Sequence, residues 1–348
     1  MENIIKVETA SKVSIVTIGE SKRLLPQYLA GCNNVFVITD SSIKSNYPEL
    51  INSYTHIVIG QGEEHKTLAD LLPIHTALLE AGVDRHSTIV GIGGGIVTDI
   101  TGFVASTYQR GVDFGFVSTT LLAQVDASVG GKNGVNHQGF KNMIGVFNQP
   151  RFVICDTSML KTLSEREFRA GLSEIIKAGV IKDSSLFEKF ETNSFEQFKN
   201  NRALLDSTTY SSIEIKARVV EQDERESGER KKLNFGHTLA HAIEKLSREY
   251  NHGEAVAIGM VMAANLGVKR GVTPLDVASR IFKVVESMGL PTECDIAMSD
   301  LFNALKSDKK RKGDGIDFIL PSQIGTAEIV PFTFAELELL FVGDTTSK

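Results

Sequence analysis

Only three cysteines occur in 348 residues, Cys32, Cys155 and Cys294, and their odd number and wide separation suit reduced, buried thiols. They exclude a disulfide framework and a cysteine-based zinc site. No long basic run accompanies the formal charge of −6 and the pI near 5.8, which argues against sequence-independent nucleic-acid binding. No apolar stretch approaches the roughly eighteen residues that a membrane helix needs, and Met1-Glu2-Asn3 does not open like a signal peptide. The chain is therefore expected in the cytoplasm, with neither membrane nor nucleic acid as partner. Internal repeats and low-complexity tracts are also lacking. At 42% hydrophobic and 23% charged residues this is an ordinary globular composition, and the length implies two domains.

What is present falls into two patterns. Short β-rich runs at Val13 to Ile18, Val35 to Asp40, His56 to Gly60, Thr88 to Gly91, Phe114 to Thr119 and Phe152 to Asp156 are separated by helix-length segments such as Leu68 to Ala81. That alternation implies βαβ units and a mostly parallel sheet. From about residue 160 long helical stretches follow: Glu165 to Gly179, Leu204 to Glu226, Thr238 to Tyr250, Glu254 to Arg270 and Pro274 to Met288. Phe318 to Leu320 and Ala327 to Val330 flank Gly325 like a small hairpin. The expected fold is α/β, with an N-terminal Rossmann-like parallel-sheet domain over 1–160 and a mostly helical C-terminal domain over 161–348.

Three of the eight histidines, His237, His241 and His252, lie within sixteen residues. His237 and His241 are four apart, so on a helix their rings share one face. Neutral imidazoles there can bind a metal or move a proton. Two core histidines hydrogen-bonded to backbone would give the same pair, but His252 just beyond, after the turn-like Asn251, shifts the balance toward a site. Thr238 stands where a zincin has its catalytic Glu, so a metal centre here is of another kind.

Gly91-Ile92-Gly93-Gly94-Gly95 follows a strand and precedes a helical stretch from Val97 to Ser106, a place where backbone N–H groups and a helix N-terminus favour a pyrophosphate. The Rossmann fingerprint is incomplete because Ile96 replaces its third glycine, and a tight turn needing positive φ would read the same. Gly130-Gly131-Lys132 is not a Walker loop, since Asn133 replaces the Ser/Thr. Arg110, Thr119, Thr120, Asp126, Lys132, Asn136, Lys141 and Asn142 form a dense polar set among glycines. Such a set is either a solvated loop or the cradle of an anionic substrate. In the helical part Glu174 and Lys177 are three apart in an otherwise apolar segment, where a carboxylate more often has a partner or a metal. Lys216 lies on the next long helix, and Glu226, Arg230 and Asn234 lead into His237 at intervals of three or four, a spacing that a surface ion-pair ladder also shows.

Taken together these residues resemble the 3-dehydroquinate synthases, a family of the sugar phosphate cyclase superfamily. The likeness runs in order through Gly93-Gly94-Gly95, Asp99, Tyr108-Gln109-Arg110-Gly111, Thr119-Thr120-Leu121-Leu122-Ala123, Val125-Asp126-Ala127-Ser128 and Gly130-Gly131-Lys132. It continues through Lys141-Asn142, Thr162-Leu163, Glu174, Lys177, Asp223-Glu224, Arg230, Leu233-Asn234, Gly236-His237-Thr238, His241-Ala242 and His252-Gly253-Glu254.

The resemblance implies a lyase that converts 3-deoxy-D-arabino-heptulosonate 7-phosphate to 3-dehydroquinate and phosphate, in the shikimate route to aromatic amino acids. It implies NAD as cofactor, reduced and reoxidised within each turnover. It also implies one divalent metal, usually zinc with cobalt an alternative, held by Glu174, His237 and His252. Lys132, Asn142 and Arg110 would face the phosphate, with Arg110 supplied by the other subunit of a homodimer. Lys177, Lys216, Arg230, Asn234 and one of Lys309 or Lys310 would hold the carboxylate and hydroxyls, and His241 and Asp126 would serve proton transfer. Around the cofactor the resemblance places Asp40, Glu63, Lys66, Gly94, Gly95, Ile96, Val97, Asp99, Thr119, Thr120, Lys132, Lys141 and Thr162. The chain departs from the family at Thr98, Ser118 and Ala240, none of which removes a side chain that does chemistry. Three rivals are another sugar phosphate cyclase, a glycerol-dehydrogenase-like oxidoreductase and a non-catalytic metal-binding protein. Lys216, Arg230, Leu233-Asn234 and His241 favour the carboxylate-bearing substrate over that of another cyclase, a small alcohol would not need so many cations, and a non-catalytic protein would be expected to have lost the catalytic lysines that are all present.

Overall fold

A computed structural model describes residues 3–306 and 314–342. The chain forms two compact units: Met1–Ser164 with Lys216–Arg225, and Glu165–Ile215 with Glu226–Lys348. The stretch 216–225 thus groups with the first unit although it lies within the helical half of the sequence. Among the described residues no helix is long and apolar enough to cross a membrane.

In the first unit nine strands form: β1 (Asn3–Glu8), β2 (Val13–Ile18), β3 (Val35–Asp40), β4 (Thr55–Ile59), β5 (Thr88–Gly93), β6 (Asp113–Ser118), β7 (Lys132–His137), β8 (Phe140–Phe147) and β9 (Phe152–Cys155). Seven make one sheet in the order β1-β2-β9-β6-β5-β3-β4, parallel throughout except for the antiparallel β1 at the edge. The burial patterns explain why. All of β5 and the four middle residues of β3 are buried, as expected of parallel strands covered on both faces, whereas β1 alternates and hides only Ile5 and Val7. Val37, Val90, Ile92, Val117, Phe152 and Ile154 pack with Leu24, Leu25, Ile43 and Ile51 from the covering helices. Each such side chain contributes about 1.5–3 kcal/mol on burial. The order reverses between β3 and β5, and in sheets of this type ligands gather at the carboxyl ends of the two strands at such a point. Asp40 and Gly93 are those ends.

The second sheet of this unit shows that part of the polar, glycine-rich set between residues 110 and 142, for which a solvated loop was one reading, is a hairpin. β7 and β8 pair antiparallel, with His137 opposite Phe140 across a two-residue turn in which both Gln138 (φ 49°) and Gly139 (φ 80°) are left-handed. β7 packs on the helix Gly95–Thr107, where Asn133, 5% exposed, donates to the carbonyls of Gly131 and Asn148 at 2.9 Å each. Gly102 makes room for it: a Cβ at that position would lie 1.9 Å from Asn133 Oδ1.

The second unit is helical: Glu165–Lys182, Ser184–Thr192, Phe195–Asn200, the portion of Arg202–Gln222 up to residue 215, His237–Leu246, His252–Arg270, Leu275–Ser287, Met298–Lys306 and Phe334–Val342. An antiparallel hairpin completes it, β10 (Gly315–Gln323) with β11 (Thr326–Thr333). His252–Arg270 begins at a capping box, Asn251 with Glu254, and stops at left-handed Gly271, so its nineteen residues are fixed by local chemistry at both ends. The helix Glu165–Lys182 is buried almost without a break from Phe168 to Ile181.

Replacing Gly102 by Ala is expected to lower stability by about 1–3 kcal/mol, because Asn133 must give up its place on the helix. Urea unfolding followed by circular dichroism reads this directly, and an unchanged midpoint would contradict the packing.

Candidate metal centre and cofactor loop

Three elements of the second unit bring Glu174, His237 and His252 together, with one ligand atom from each lying within 4.8 Å of the others. Glu174 comes from the middle of the helix Glu165–Lys182, while His237 and His252 are the first residues of their helices. Backbone approach sets the spacing. A Cβ on Gly253 would fall 2.3 Å from the Ala170 backbone, and one on Gly259 would fall 2.1 Å from the Gly236 carbonyl. The helices therefore meet at a distance that only glycine allows, and the two histidines arrive beside the carboxylate. His237 Nε2 stands 3.4 Å and His252 Nε2 3.5 Å from Glu174 Oε1.

The outward nitrogens are oriented from behind. His237 Nδ1 faces the Phe235 carbonyl at 3.2 Å, and His252 Nδ1 faces Glu244 Oε1 at 3.3 Å. Burial works to lower the His252 pKa, but Glu174 and Glu244 override it and raise it from 6.5 to about 10. Two carboxylates thus hold a positive charge at this position. Glu174 is 2% exposed, and neither of its oxygens has a hydrogen bond of ordinary geometry. Lys177, one helical turn on and equally buried, pairs with its Oε2. A buried carboxylate and two imidazoles with their Nε2 atoms converging are a donor set that fits a divalent cation such as zinc.

Around this centre the structure places the other residues expected in the second unit. Arg230 is 2% exposed within the turn Glu229–Asn234. Asn234 donates to Glu226, a left-handed residue at φ 61°, and the His241 ring stands perpendicular to that of His237 with centroids 5.8 Å apart. Glu244 is a functional candidate that the sequence reading missed. The available signal was its place on the same helix as both histidines, seven residues after His237. Lys309 and Lys310 lie outside the described residues.

Of the residues expected around the cofactor, Asp40, Gly94 to Asp99, Thr119 and Thr120 lie in the first unit at or just after the carboxyl ends of β3, β5 and β6. Gly94 is the N-cap of Gly95–Thr107 with φ −79°, and none of the three glycines 93–95 has positive φ. Conformational freedom is therefore not why they are glycine; close approach is. A Cβ would lie 2.4 Å from Val97 at Gly93, 3.0 Å from Thr120 at Gly94 and 3.3 Å from Ala127 at Gly95. Gly94 offers no capping side chain to the first turn at Ile96 and Val97, and the buried Thr119 hydroxyl has no hydrogen-bond partner among the described residues. Uncapped N–H groups at a helix start and an orphaned hydroxyl fit a dinucleotide's phosphates and amide. Asp40 caps the following helix by accepting from Ile43 N at 3.0 Å, and it also accepts from Gln61 at 3.2 Å.

Lys66 is buried between the Asp99 carboxylate and Asn142 Oδ1, which it reaches at 2.6 Å. Burial pushes the Asp99 carboxyl up, against the pull of Lys66. Asn136 laces this segment to the β7–β8 hairpin, donating its backbone N–H to Lys66 O at 2.7 Å and its amide to Glu63 Oε1 at 2.9 Å. Lys216 Nζ donates to the Asp126 carbonyl at 2.6 Å and also meets its carboxylate, and Asp126 itself sits in a π-turn over Ala123–Ala127. Lys132 and Asn142 are not side by side: Lys132 pairs with Phe147, about 16 Å along β8 from Asn142. Lys141 and Thr162 are exposed, Thr162 lying 3.1 Å from the Tyr47 hydroxyl. Arg110 is exposed at φ 69°, next to Gln109 at φ 49°, so two side-chain-bearing residues in succession are left-handed before Gly111.

His237→Ala is expected to abolish stoichiometric metal in protein loaded with zinc, measured by atomic emission; full retention would remove His237 from the ligand set. The pH dependence has a definite sign. With its pKa raised from 6.5 to about 10, protonated His252 stabilises the metal-free fold below pH 6.5, and this contribution is lost as pH rises through about 10. A metal must displace that proton, so zinc affinity measured by chelator competition should rise by about tenfold per pH unit across this window.

Comparison with known proteins bears on the family of the chain. Residues 56–170 match the family described as 3-dehydroquinate synthase N-terminal, and residues 171–311 match 3-dehydroquinate synthase C-terminal. A 3-dehydroquinate synthase of Geobacter metallireducens is 47% identical over 277 residues, covering 79% of this chain and 77% of the relative. That of Acaryochloris marina is 43% identical over 311 residues, covering 85% and 83%. Among solved structures, ValA, a 2-epi-5-epi-valiolone synthase from Streptomyces hygroscopicus subsp. jinggangensis with NAD+ and Zn2+ bound, superposes with a TM-score of 0.86 at 26% identity, covering 97% of this chain and 98% of that one. With both halves matched and nearly half of the aligned positions identical to a relative, the chain belongs to the 3-dehydroquinate synthase family.

Proposed function

We propose that the chain converts 3-deoxy-D-arabino-heptulosonate 7-phosphate to 3-dehydroquinate and phosphate, a carbon–oxygen lyase reaction of the shikimate route. The observation that carries this reading is the converging set of Glu174, His237 and His252 with the buried cations Lys177 and Arg230 on the same unit. An alcohol dehydrogenase acting on a small neutral substrate has no use for so many buried cations. A substrate bearing a carboxylate, several hydroxyls and a phosphate has.

Bound at these places, zinc or cobalt would supply a Lewis acid to one substrate hydroxyl, and NAD would accept and return a hydride within each turnover. The chain's own residues bind and orient. Lys177, Arg230 and Asn234 would hold the carboxylate and hydroxyls. Lys66 holds the Asn142 Oδ1, so the amide nitrogen is the donor Asn142 would offer the phosphate, with Arg110 supplying charge; Lys132, about 16 Å along the hairpin, stands apart from that contact. His241 would move a proton at its ring nitrogen, and Asp126, held by Lys216, would do so at its carboxylate. Phosphate leaves from a site where cations replace its water, which is where most of the protein's contribution lies. A homodimer that supplies Arg110 across its interface completes the reading.

The test is phosphate release from 3-deoxy-D-arabino-heptulosonate 7-phosphate by zinc-loaded protein with substoichiometric NAD, with NADH followed by absorbance. Phosphate and dehydroquinate with no net NADH are expected. Turnover of another sugar phosphate alone would move the chain to a sibling cyclase, and NADH accumulating from a simple alcohol would make it a dehydrogenase. Arg230→Ala should raise KM with little change in kcat, by about 1–3 kcal/mol if the contact is desolvated. Unchanged kinetics would put Arg230 outside the site.

A further inference from the structure

The geometry points to Glu244 as the residue that positions His252 for metal binding, an inference that rests on Glu174, His237 and His252 being the ligands. Glu244 lies on the helix His237–Leu246, two turns after His237, with its side chain 5% exposed. Its Oε1 is 3.3 Å from His252 Nδ1, while His252 Nε2 points at Glu174.

A neutral imidazole carries its proton on one nitrogen and a lone pair on the other, and only the lone pair binds a metal. Opposite Glu244 the proton belongs on Nδ1, because the other tautomer would set a lone pair against a carboxylate. The lone pair is then on Nε2, which faces the other two ligand atoms. A full negative charge behind the ring also makes Nε2 a stronger donor than a neutral partner would. His237 shows the contrast, since its Nδ1 faces the Phe235 carbonyl. The two histidines are therefore unequal, and His252 is the one whose donor strength depends on a side chain. One helix thereby delivers the ligand His237 and orients the ligand His252 on the next.

The experiment compares the full-length wild type with Glu244→Gln and Glu244→Asp, each stripped by chelator and refilled with zinc. Affinity is read by competition with a chromophoric chelator at one pH, and fold by circular dichroism. Gln keeps the size and can still accept the hydrogen bond, but it removes the charge. We expect zinc affinity to fall by about 10–100-fold in Glu244→Gln and to recover in part in Glu244→Asp. Wild-type affinity in Glu244→Gln overturns the positioning role. Should that variant not fold, the 15N shifts of His252 in zinc-loaded wild type decide: a metal-bound Nε2 with protonated Nδ1 is expected, and a metal-bound Nδ1 overturns the proposal. Failure of the underlying ligand reading looks different, for then wild type itself takes up no zinc, or His252→Ala binds it as tightly as wild type.

Discussion

A carboxylate inside a helix bundle is the constraint on which the second unit depends. Glu174 sits in a helix buried almost throughout, where an isolated charge would cost several kcal/mol. The surroundings answer that cost with positive charge and hydrogen. Lys177 stands one turn away, and two imidazoles arrive on helices pressed together at Gly253 and Gly259 until backbone meets backbone. Replacing either glycine would push a histidine away from the carboxylate before altering any chemistry. Packing and electrostatics are thus the same problem here: the close crossing exists so that the charge has neighbours.

The first unit solves a different problem, that of keeping uncapped backbone and buried cations from collapsing onto one another. The glycines after β5 keep side chains away from the start of a helix. Lys66, buried and shared between Asp99 and Asn142, is held off the loop and in turn fixes an amide. The β7–β8 hairpin anchors this arrangement through Asn136, which bonds both ends of the segment Glu63 to Lys66.

The central strands were readable because parallel strands buried on both faces are continuous apolar runs, and Val13 to Ile18 and Val35 to Asp40 coincide with β2 and β3. The edge strand β1 was not, having only two inward apolar residues. Nor was the β7–β8 hairpin, whose strands are polar and glycine-rich and whose turn is Gln-Gly rather than the Asn-Gly that usually marks such turns. In the site, histidine spacing and one carboxylate in an apolar helix marked the right neighbourhood, and only the family resemblance joined Glu174 to His237 and His252. Glu244 escaped notice because nothing in a sequence distinguishes a glutamate that faces a partner helix from one that faces water. For the glycines 93–95 the sequence left close approach and a positive-φ turn both open, and their negative φ with crowded Cβ positions decides for close approach.

His237 and His252 are each the opening residue of a helix, so two helix N-termini converge on one point. Each carries about half a positive elementary charge from its aligned peptide dipoles. That field opposes a cation while favouring any oxygen that loses a proton beside it. A cation bound there would be held less firmly than by the same three ligands placed away from helix N-termini.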